Sequence, residues 1–340
     1  MPETILLTGI SGFIAKHVAL LALNRGHAVR GTLRTMARAD EVRDALRPHL
    51  TDPKAMDRLA FVIANLGDGA GWDQAVAGVT AVIHTASPFP MVQPKDEMAL
   101  IAPAREGTLR VLRAAHKAGI GRVVLTSSVV AVVNGTSPGV QDESVWADPT
   151  APHATAYGKS KTLAERAAWE FAGANGMSLT TINPGLVVGA PLDRHFGTSL
   201  DLVLRILKGR DPMLPDISFP VVDVRDVAEM HLRALERADT VGKRYLAVAD
   251  GPVMSMVEIG RFFKSRYPTR RIATRQAPKF LLQMLSLVDP SLKTILPQIG
   301  QRHELSNQRA RTEMGMRFVS SKDALAASSE WLAKEGLVWA

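Results

Sequence analysis

Residues 4–33 read as a strand, a glycine turn, a helix and a second strand, and few folds accept that opening. Thr4 to Thr8 is a short apolar run that stops at Gly9, the pattern of a buried strand. Phe13 to Arg25 has helical spacing and stops at Gly26, a residue suited to a helix C-terminus because it accepts the left-handed conformation. His27 to Leu33 supplies the second strand. In such a βαβ unit, Gly9 and Gly12 fall where the N–H groups of the first helical turn can receive a pyrophosphate. The glycines alone are a weak signal. Ala15 stands where a third glycine is common, and a bare Gly-x-x-Gly can be only a tight turn. The strand-turn-helix context carries the reading.

The end of the second strand is more specific. Folds of this type that bind NAD place an acid there, about 20 residues past the glycines, on the ribose 2′-hydroxyl. This chain has Arg30-Gly31-Thr32-Leu33-Arg34-Thr35 and no acid until Asp40. A carboxylate would repel a 2′-phosphate, whereas a guanidinium binds one with charge-assisted hydrogen bonds. The expected cofactor is therefore NADP(H), with Arg34 on the phosphate and Arg38 as a second candidate. The plain alternative is an exposed arginine at a strand end.

The alternation then continues. Strands are expected at Leu59–Ala64, Ala81–His84, Arg122–Thr126 and Leu179–Ile182, with helices at Trp72–Ala77, Glu97–Lys117 and Ala156–Ala174. Pro103 should bend the long helix or mark its start. This is an α/β chain, and its order predicts a Rossmann-type, doubly wound parallel sheet. Asn65-Leu66 follows the third strand, where the chain would pass an adenine. The fourth strand ends in His84-Thr85-Ala86-Ser87-Pro88-Phe89-Pro90, whose small residues would let backbone approach a cofactor. His84 itself reads as a strand-end histidine that packs locally, since no acid or nucleophile adjoins it.

Thr126-Ser127-Ser128 closes the fifth strand, and ligands of open α/β sheets bind outside the carboxyl ends of the strands. Tyr157 and Lys161 lie four apart on a helix and share one face. An ammonium beside a phenol favours the phenolate, so that tyrosine can pass a proton near neutral pH. A serine hydroxyl nearby can hold a carbonyl oxygen. Together these parts describe hydride transfer to a carbonyl. The loop from Asn134 to Thr155 joins the serine to the tyrosine and is placed beside the substrate.

Past Asn183 the rhythm changes. A helix is expected at about Ser199–Leu207, then a Pro-rich loop, a strand at Phe219–Val224, a helix at Arg225–Leu235 and a strand at Val241–Val248. The remainder reads as helical with a basic face, and the amphipathic stretch Ala277–Leu287 as a helix docked on its own domain. The division is a cofactor-binding domain at 1–183, to which 219–248 returns. A smaller, mainly helical substrate domain comprises 184–218 and 249–340.

The chain has no cysteine, which excludes disulfides and thiolate chemistry, and no metal is expected. Lys plus Arg outnumber Asp plus Glu 41 to 33, for a net charge of +8. Much of the excess falls between Arg261 and Lys279 without an aromatic or helix-turn-helix pattern, so it reads as a solvated face rather than a nucleic-acid surface. No signal peptide is expected ahead of the first strand, and no apolar run is long enough to span a bilayer. A soluble, cytoplasmic monomer or homodimer is expected, with a small carbonyl or alcohol substrate and neither membrane nor nucleic acid as partner.

Seven motifs in order resemble the extended, atypical short-chain dehydrogenase/reductases, in the group of dihydroflavonol reductases and NADPH-dependent aldehyde/ketone reductases. They are Thr8-Gly9-x-x-Gly12-Phe13-Ile14, Val29-Arg30-Gly31-Thr32-Leu33-Arg34, His84-Thr85-Ala86-Ser87-Pro88-Phe89, Thr126-Ser127-Ser128, Tyr157-x-x-x-Lys161, Asn183-Pro184-Gly185, and Val222-Asp223-Val224-Arg225-Asp226-Val227-Ala228. The resemblance covers nearly the whole chain. It implies a Ser-Tyr-Lys set in which Ser128, or failing it Ser127, stabilises the carbonyl oxygen. Tyr157 protonates that oxygen. Lys161 holds the nicotinamide ribose and lowers the tyrosine pKa. Pro184, Gly185 and Val187 lie against the nicotinamide. Further cofactor contacts are implied at Thr8, Gly9, Ser11, Gly12, Phe13, Ile14, Asn65, Leu66, Thr85, Ala86, Ser87 and Thr126, and a substrate pocket at Ser87, Pro88, Phe89 and Asn134. The chain departs from the family pattern in three places, one of them Val129-Val130-Ala131-Val132-Val133-Asn134 after the serine, which is more apolar and differently spaced than in plant dihydroflavonol reductases. Asn65 stands where an aspartate is common. His153-Ala154-Thr155-Ala156 lacks the run before the tyrosine typical of cinnamoyl-CoA reductases. The rival readings are a hydroxysteroid dehydrogenase or dihydroflavonol reductase of the same family, and a non-catalytic NADP(H) sensor. Against a nucleotide-sugar epimerase stands Arg34, where an epimerase prefers an acid.

Overall fold

The computed structural model describes residues 3–87, 96–133, 139–151, 154–287 and 296–339. Its centre is a seven-stranded sheet. β1 (Thr4–Thr8), β2 (Ala28–Leu33), β3 (Leu59–Ile63), β4 (Ala81–His84), β5 (Arg122–Thr126), β6 (Ser178–Pro184) and β10 (Lys243–Ala247) stand in the order β10-β6-β5-β4-β1-β2-β3. Every pairing is parallel. The chain winds outward from β1 to β3, then returns to β4 and winds the other way. The switch point therefore lies between β1 and β4, where doubly wound sheets open a crevice.

Alternation within the strands sorts the core into two faces. Ile5 and Leu7 of β1 join one cluster and Leu6 the other; Val124 and its neighbours Val123 and Leu125 divide likewise. The first face is covered by α1 (Phe13–Asn24), α2 (Ala39–Leu46) and α7 (Val224–Glu236), the second by α3 (Trp72–Val76), α4 (Met98–Lys117) and α5 (Ala156–Ala174). Gly31 in β2 is required by packing: a Cβ there would meet Ile10 Cδ1 at 2.4 Å. Pro103 lies inside α4, which begins at Met98.

The strand expected at Phe219–Val224 is broken at Pro220, which lacks the N–H that a ladder needs. On one side β8 (Ser218–Phe219) pairs antiparallel with β11 (Met254–Ser255). On the other β9 (Val221–Asp223) pairs parallel with β7 (Leu186–Val188). A third cluster joins α6 (Thr198–Lys208), α8 (Met256–Arg266) and α11 (Ser321–Lys334) through Leu200, Ile206, Phe263 and Leu325. The C-terminal stretch is less helical than expected. Between α8 and α11 the described residues form α9 (Lys279–Leu285), a 3₁₀ turn at Leu296–Gln298, α10 (Gln308–Glu313) and irregular chain. No helix among them is long and apolar enough to cross a membrane.

Candidate active site

The glycine turn is built from three strand ends. The Thr8 hydroxyl lies 2.7 Å from His84 Nδ1 and accepts the Ala86 N–H at 3.0 Å, while Thr85 Oγ1 donates to Thr8 O at 2.6 Å. Gly9 N–H donates to Thr32 Oγ1 at 2.9 Å. Gly9 has a φ of +66°, and a Cβ on it would sit 3.0 Å from the Ala86 Cβ. Both facts demand glycine. Gly12 caps α1 with no side-chain hydrogen bond, and the first turn carries no acid. An uncapped helix N-terminus behind a cradle that any Cβ would fill fits a pyrophosphate. His84 is buried against this turn. Loss of solvent pushes its pKa down to about 3, so it is neutral and structural.

Arg34 is exposed at the end of β2 and makes no hydrogen bond or ion pair among the described residues. Arg38 is held on two sides. Its Nε and Nη2 reach Glu41 at 2.9 and 2.6 Å, and its Nη1 donates to Ser11 Oγ at 3.0 Å. The two candidates thus differ: Arg34 is available, and Arg38 is tied to the turn. Asn65 forms a local turn, accepting the Gly67 N–H at 3.1 Å and facing Asp68 Oδ2 at 3.3 Å. Leu66 packs on Gly107 of α4, where a Cβ would sit 3.0 Å from the leucine.

The helix carrying Tyr157 and Lys161 is started by Thr155, whose hydroxyl accepts the Gly158 N–H at 3.0 Å. Ser128 and Ser127 are separated by strand alternation. The Ser127 hydroxyl donates to Glu165 inside the core, whereas that of Ser128 is hydrogen-bonded to Tyr157. Of the two serines, Ser128 is the one beside the phenol. Tyr157 and Lys161 are half-buried, and of the two Tyr157 lines the cleft. Burial pushes the phenol upward and the Ser128 hydrogen bond pulls it back. This differs from the sequence expectation of a phenol lowered by its lysine: in the folded chain desolvation dominates. Burial also lowers Lys161, to about 8, against the pull of Glu165.

Thr126, at the same strand end, turns its hydroxyl to His231 Nε2 of α7 at 2.6 Å. Pro184 and Val187 are buried. Gly185 is pinched, since a Cβ there would lie 2.0 Å from Pro220 O. A cavity of about 400 Å³ opens from Ser128 and Tyr157 and is walled by Val129, Leu186, Leu202 and Phe219, with Gln298 and His303 across from them. Thr85, Ala86 and Ser87 are half-buried at the end of β4. Pro88, Phe89 and Asn134, expected in the substrate pocket, lie outside the described residues.

Sequence reasoning missed three side chains around this site. Glu165 and Arg244 form a buried ion pair at 2.7 Å, and Asn183 Nδ2 donates to Ser128 O at 3.1 Å. Glu165 left one available signal, an acid four residues after Lys161 on the same helix face. Lys16 was also missed; it is buried in α1 and ion-paired with Asp193.

Fold and cleft together define a doubly wound nucleotide-fold protein with a serine, a tyrosine and a lysine at its mouth. The family model "NAD dependent epimerase/dehydratase family" matches residues 5–248. The cinnamoyl-CoA reductase CAD2 of Medicago truncatula is 36% identical over 283 residues, which cover 81% of this chain and 84% of that one. An anthocyanidin reductase of Vitis vinifera is 30% identical over 289 residues, covering 80% and 83%. Among solved structures, the yeast methylglyoxal/isovaleraldehyde reductase Gre2 complexed with NADPH has a TM-score of 0.80 at 24% identity, over 98% of this chain and all of that one; at that identity the likeness is one of fold. The chain belongs to the NAD-dependent epimerase/dehydratase family, within the extended short-chain dehydrogenase/reductases of the dihydroflavonol reductase-like group.

Proposed function

We propose that the protein is an NADPH-dependent reductase of aldehydes or ketones. NADPH, when bound, supplies the hydride. The chain's own residues hold the cofactor, orient the carbonyl and deliver the proton. Gly9, Gly12 and the first N–H groups of α1 receive the pyrophosphate, with Thr8, Ser11, Phe13 and Ile14 around it. Arg34 takes the 2′-phosphate, and Arg38 braces the turn through Ser11. Asn65 and Leu66 border the adenine. Thr85, Ala86 and Ser87, the backbone of Thr126, and Pro184, Gly185 and Val187 border the rest of the cofactor.

Ser128 donates to the carbonyl oxygen as negative charge develops on it. Tyr157 gives that oxygen its proton. A phenol raised by burial is protonated at neutral pH, as a donor must be. Lys161, with a pKa of about 8, is largely an ammonium there; it holds the ribose and stabilises the phenolate left behind. Segments 184–218 and 249–340 form the substrate lobe, consistent with the contribution of Leu186, Leu202 and Gln298 to the cavity wall.

The observation that supports this reading most is the hydrogen bond between the Ser128 and Tyr157 hydroxyls at the cavity wall, with Lys161 one helical turn on. The cinnamoyl-CoA and anthocyanidin reductases among the relatives support a reductase. The residues before Tyr157 favour a free aldehyde or ketone over a thioester. The test is carbonyl-dependent oxidation of NADPH and NADH against an aromatic aldehyde, a β-ketoester, a dihydroflavonol and a steroid ketone. Turnover with NADPH well above NADH is expected on at least one. Tight NADPH binding with no turnover on any would favour a sensor.

A further inference from the structure

The reductase reading leaves one buried cluster unused. Glu165 lies one turn past Lys161 and two past Tyr157 on α5, and its side chain has no exposed surface. Five donors converge on its carboxylate. Oε1 accepts from Arg244 Nε at 2.7 Å, Thr181 Oγ1 at 3.1 Å and Trp169 Nε1 at 3.3 Å. Oε2 accepts from Asn183 Nδ2 at 2.7 Å and from the Ser127 hydroxyl. Asn183 Nδ2 also donates to the backbone oxygen of Ser128. Arg244 stacks 3.7 Å over the Trp146 ring and donates to the carbonyls of Glu143, Val145 and Ala131. One carboxylate therefore holds Ser127 directly, the Ser128 carbonyl through Asn183, and β6 through Thr181 and Asn183, and it stands one helical turn past Lys161.

A buried ion pair is weak evidence for stability, because desolvating two charges offsets most of their attraction. Such a pair in this place calls for another use. We propose that Glu165 is a positioning residue for the proposed reaction, fixing the Ser127–Ser128 strand end through its hydrogen bonds and setting one buried negative charge a helical turn from the Lys161 ammonium. The inference rests on the reductase reading for the meaning of Ser128 and Lys161. Burial lowers the Lys161 pKa, and the neighbouring His84 on β4 is neutral and adds no charge. Glu165 is the anion on its own helix that opposes burial, and Arg244 balances Glu165 from β10.

The test compares wild type, Tyr157→Phe, Glu165→Gln and the double variant Glu165→Gln/Arg244→Gln, which leaves no buried charge unpaired if the single variant fails to fold. Three quantities are read: turnover against pH, NADPH affinity by fluorescence, and the titration of the Lys161 ammonium by NMR in the full chain. For Glu165→Gln, kcat is expected to fall by about tenfold to a hundredfold, with NADPH affinity within about threefold of wild type. Without the carboxylate the ammonium gives up its proton more easily, so the alkaline limb and the Lys161 titration both move to lower pH, by about one unit. The double variant is expected to lose turnover likewise, with a smaller shift. The proposal is overturned if wild type turns over, Tyr157→Phe does not, and the Glu165 variants keep both wild-type kcat and an unmoved limb. If wild type reduces no carbonyl, the reductase reading fails on its own. An unmoved Lys161 titration then separately removes Glu165 from its role.

Discussion

Arg34 and Arg38 show how far two similar side chains diverge once folded. Both stand just past β2, about 20 residues after the glycine turn, the place where this fold takes a ribose, and that much was legible. Their partners were not legible, since Glu41 and Ser11 reach Arg38 through space. Arg34→Ala is expected to weaken NADPH binding about tenfold or more and leave NADH binding within about twofold, measured by fluorescence titration; an equal loss for both would remove Arg34 from the phosphate. Tyr157 and Lys161 were readable from spacing alone. Glu165 was not, because a buried acid and a surface acid look the same until its five donors are brought together. Adjacent Ser127 and Ser128 were separable only by seeing which faces the core and which faces the phenol.

Among elements, those with strong periodicity came through the sequence well. β4 and β5 lie where expected, and α5 spans the expected Ala156–Ala174. The losses are short pieces whose form depends on a distant partner. β7, β8, β9 and β11 have two or three residues each and exist only as pairs. The 3₁₀ turn at Val129–Ala131 is equally short, whereas helix α2 carries its own signal in the spacing of Ala39, Val42, Ala45 and Leu46. The proposed cofactor binding depends on the turn between β1 and α1. At Gly9, alanine must adopt a left-handed φ and meet Ala86. Gly9→Ala should cost about 1–2 kcal/mol of strain and weaken NADPH binding by at least about tenfold while the sheet stays folded by circular dichroism. Unchanged affinity would mean that the turn does not carry the cofactor.

At the scale of the whole molecule, the order β10-β6-β5-β4-β1-β2-β3 brings Thr8, His84, Ser128 and Pro184 to one edge of the sheet, although they span just over half of the chain. The alternation made this architecture legible. The third core draws on the segments 184–218 and 249–340 expected to pack together, but its particular contacts were not legible, because they join residues as far apart as Val188 and Leu325. Burial also sets the response to acid. His17 and His231 are pushed down to about 4 and His84 to about 3, from 6.5. Below pH 6.5 the unfolded chain takes up these protons and the folded one does not, so stability falls from there toward pH 4. Asp226, raised to about 6 by burial, is protonated first in the folded state and offsets part of the loss. Denaturant titrations should lose roughly 3 kcal/mol between pH 7.5 and 5.5. A flat profile would mean that these histidines are not held neutral.

The central claim is that Tyr157 delivers the proton in an NADPH-dependent carbonyl reduction. The most direct measurement compares kcat and NADPH affinity of wild type and Tyr157→Phe on the best carbonyl of the panel. Loss of the hydroxyl is expected to lower kcat by about a hundredfold or more and leave NADPH affinity nearly unchanged. A phenylalanine variant that turns over at nearly the wild-type rate would contradict it.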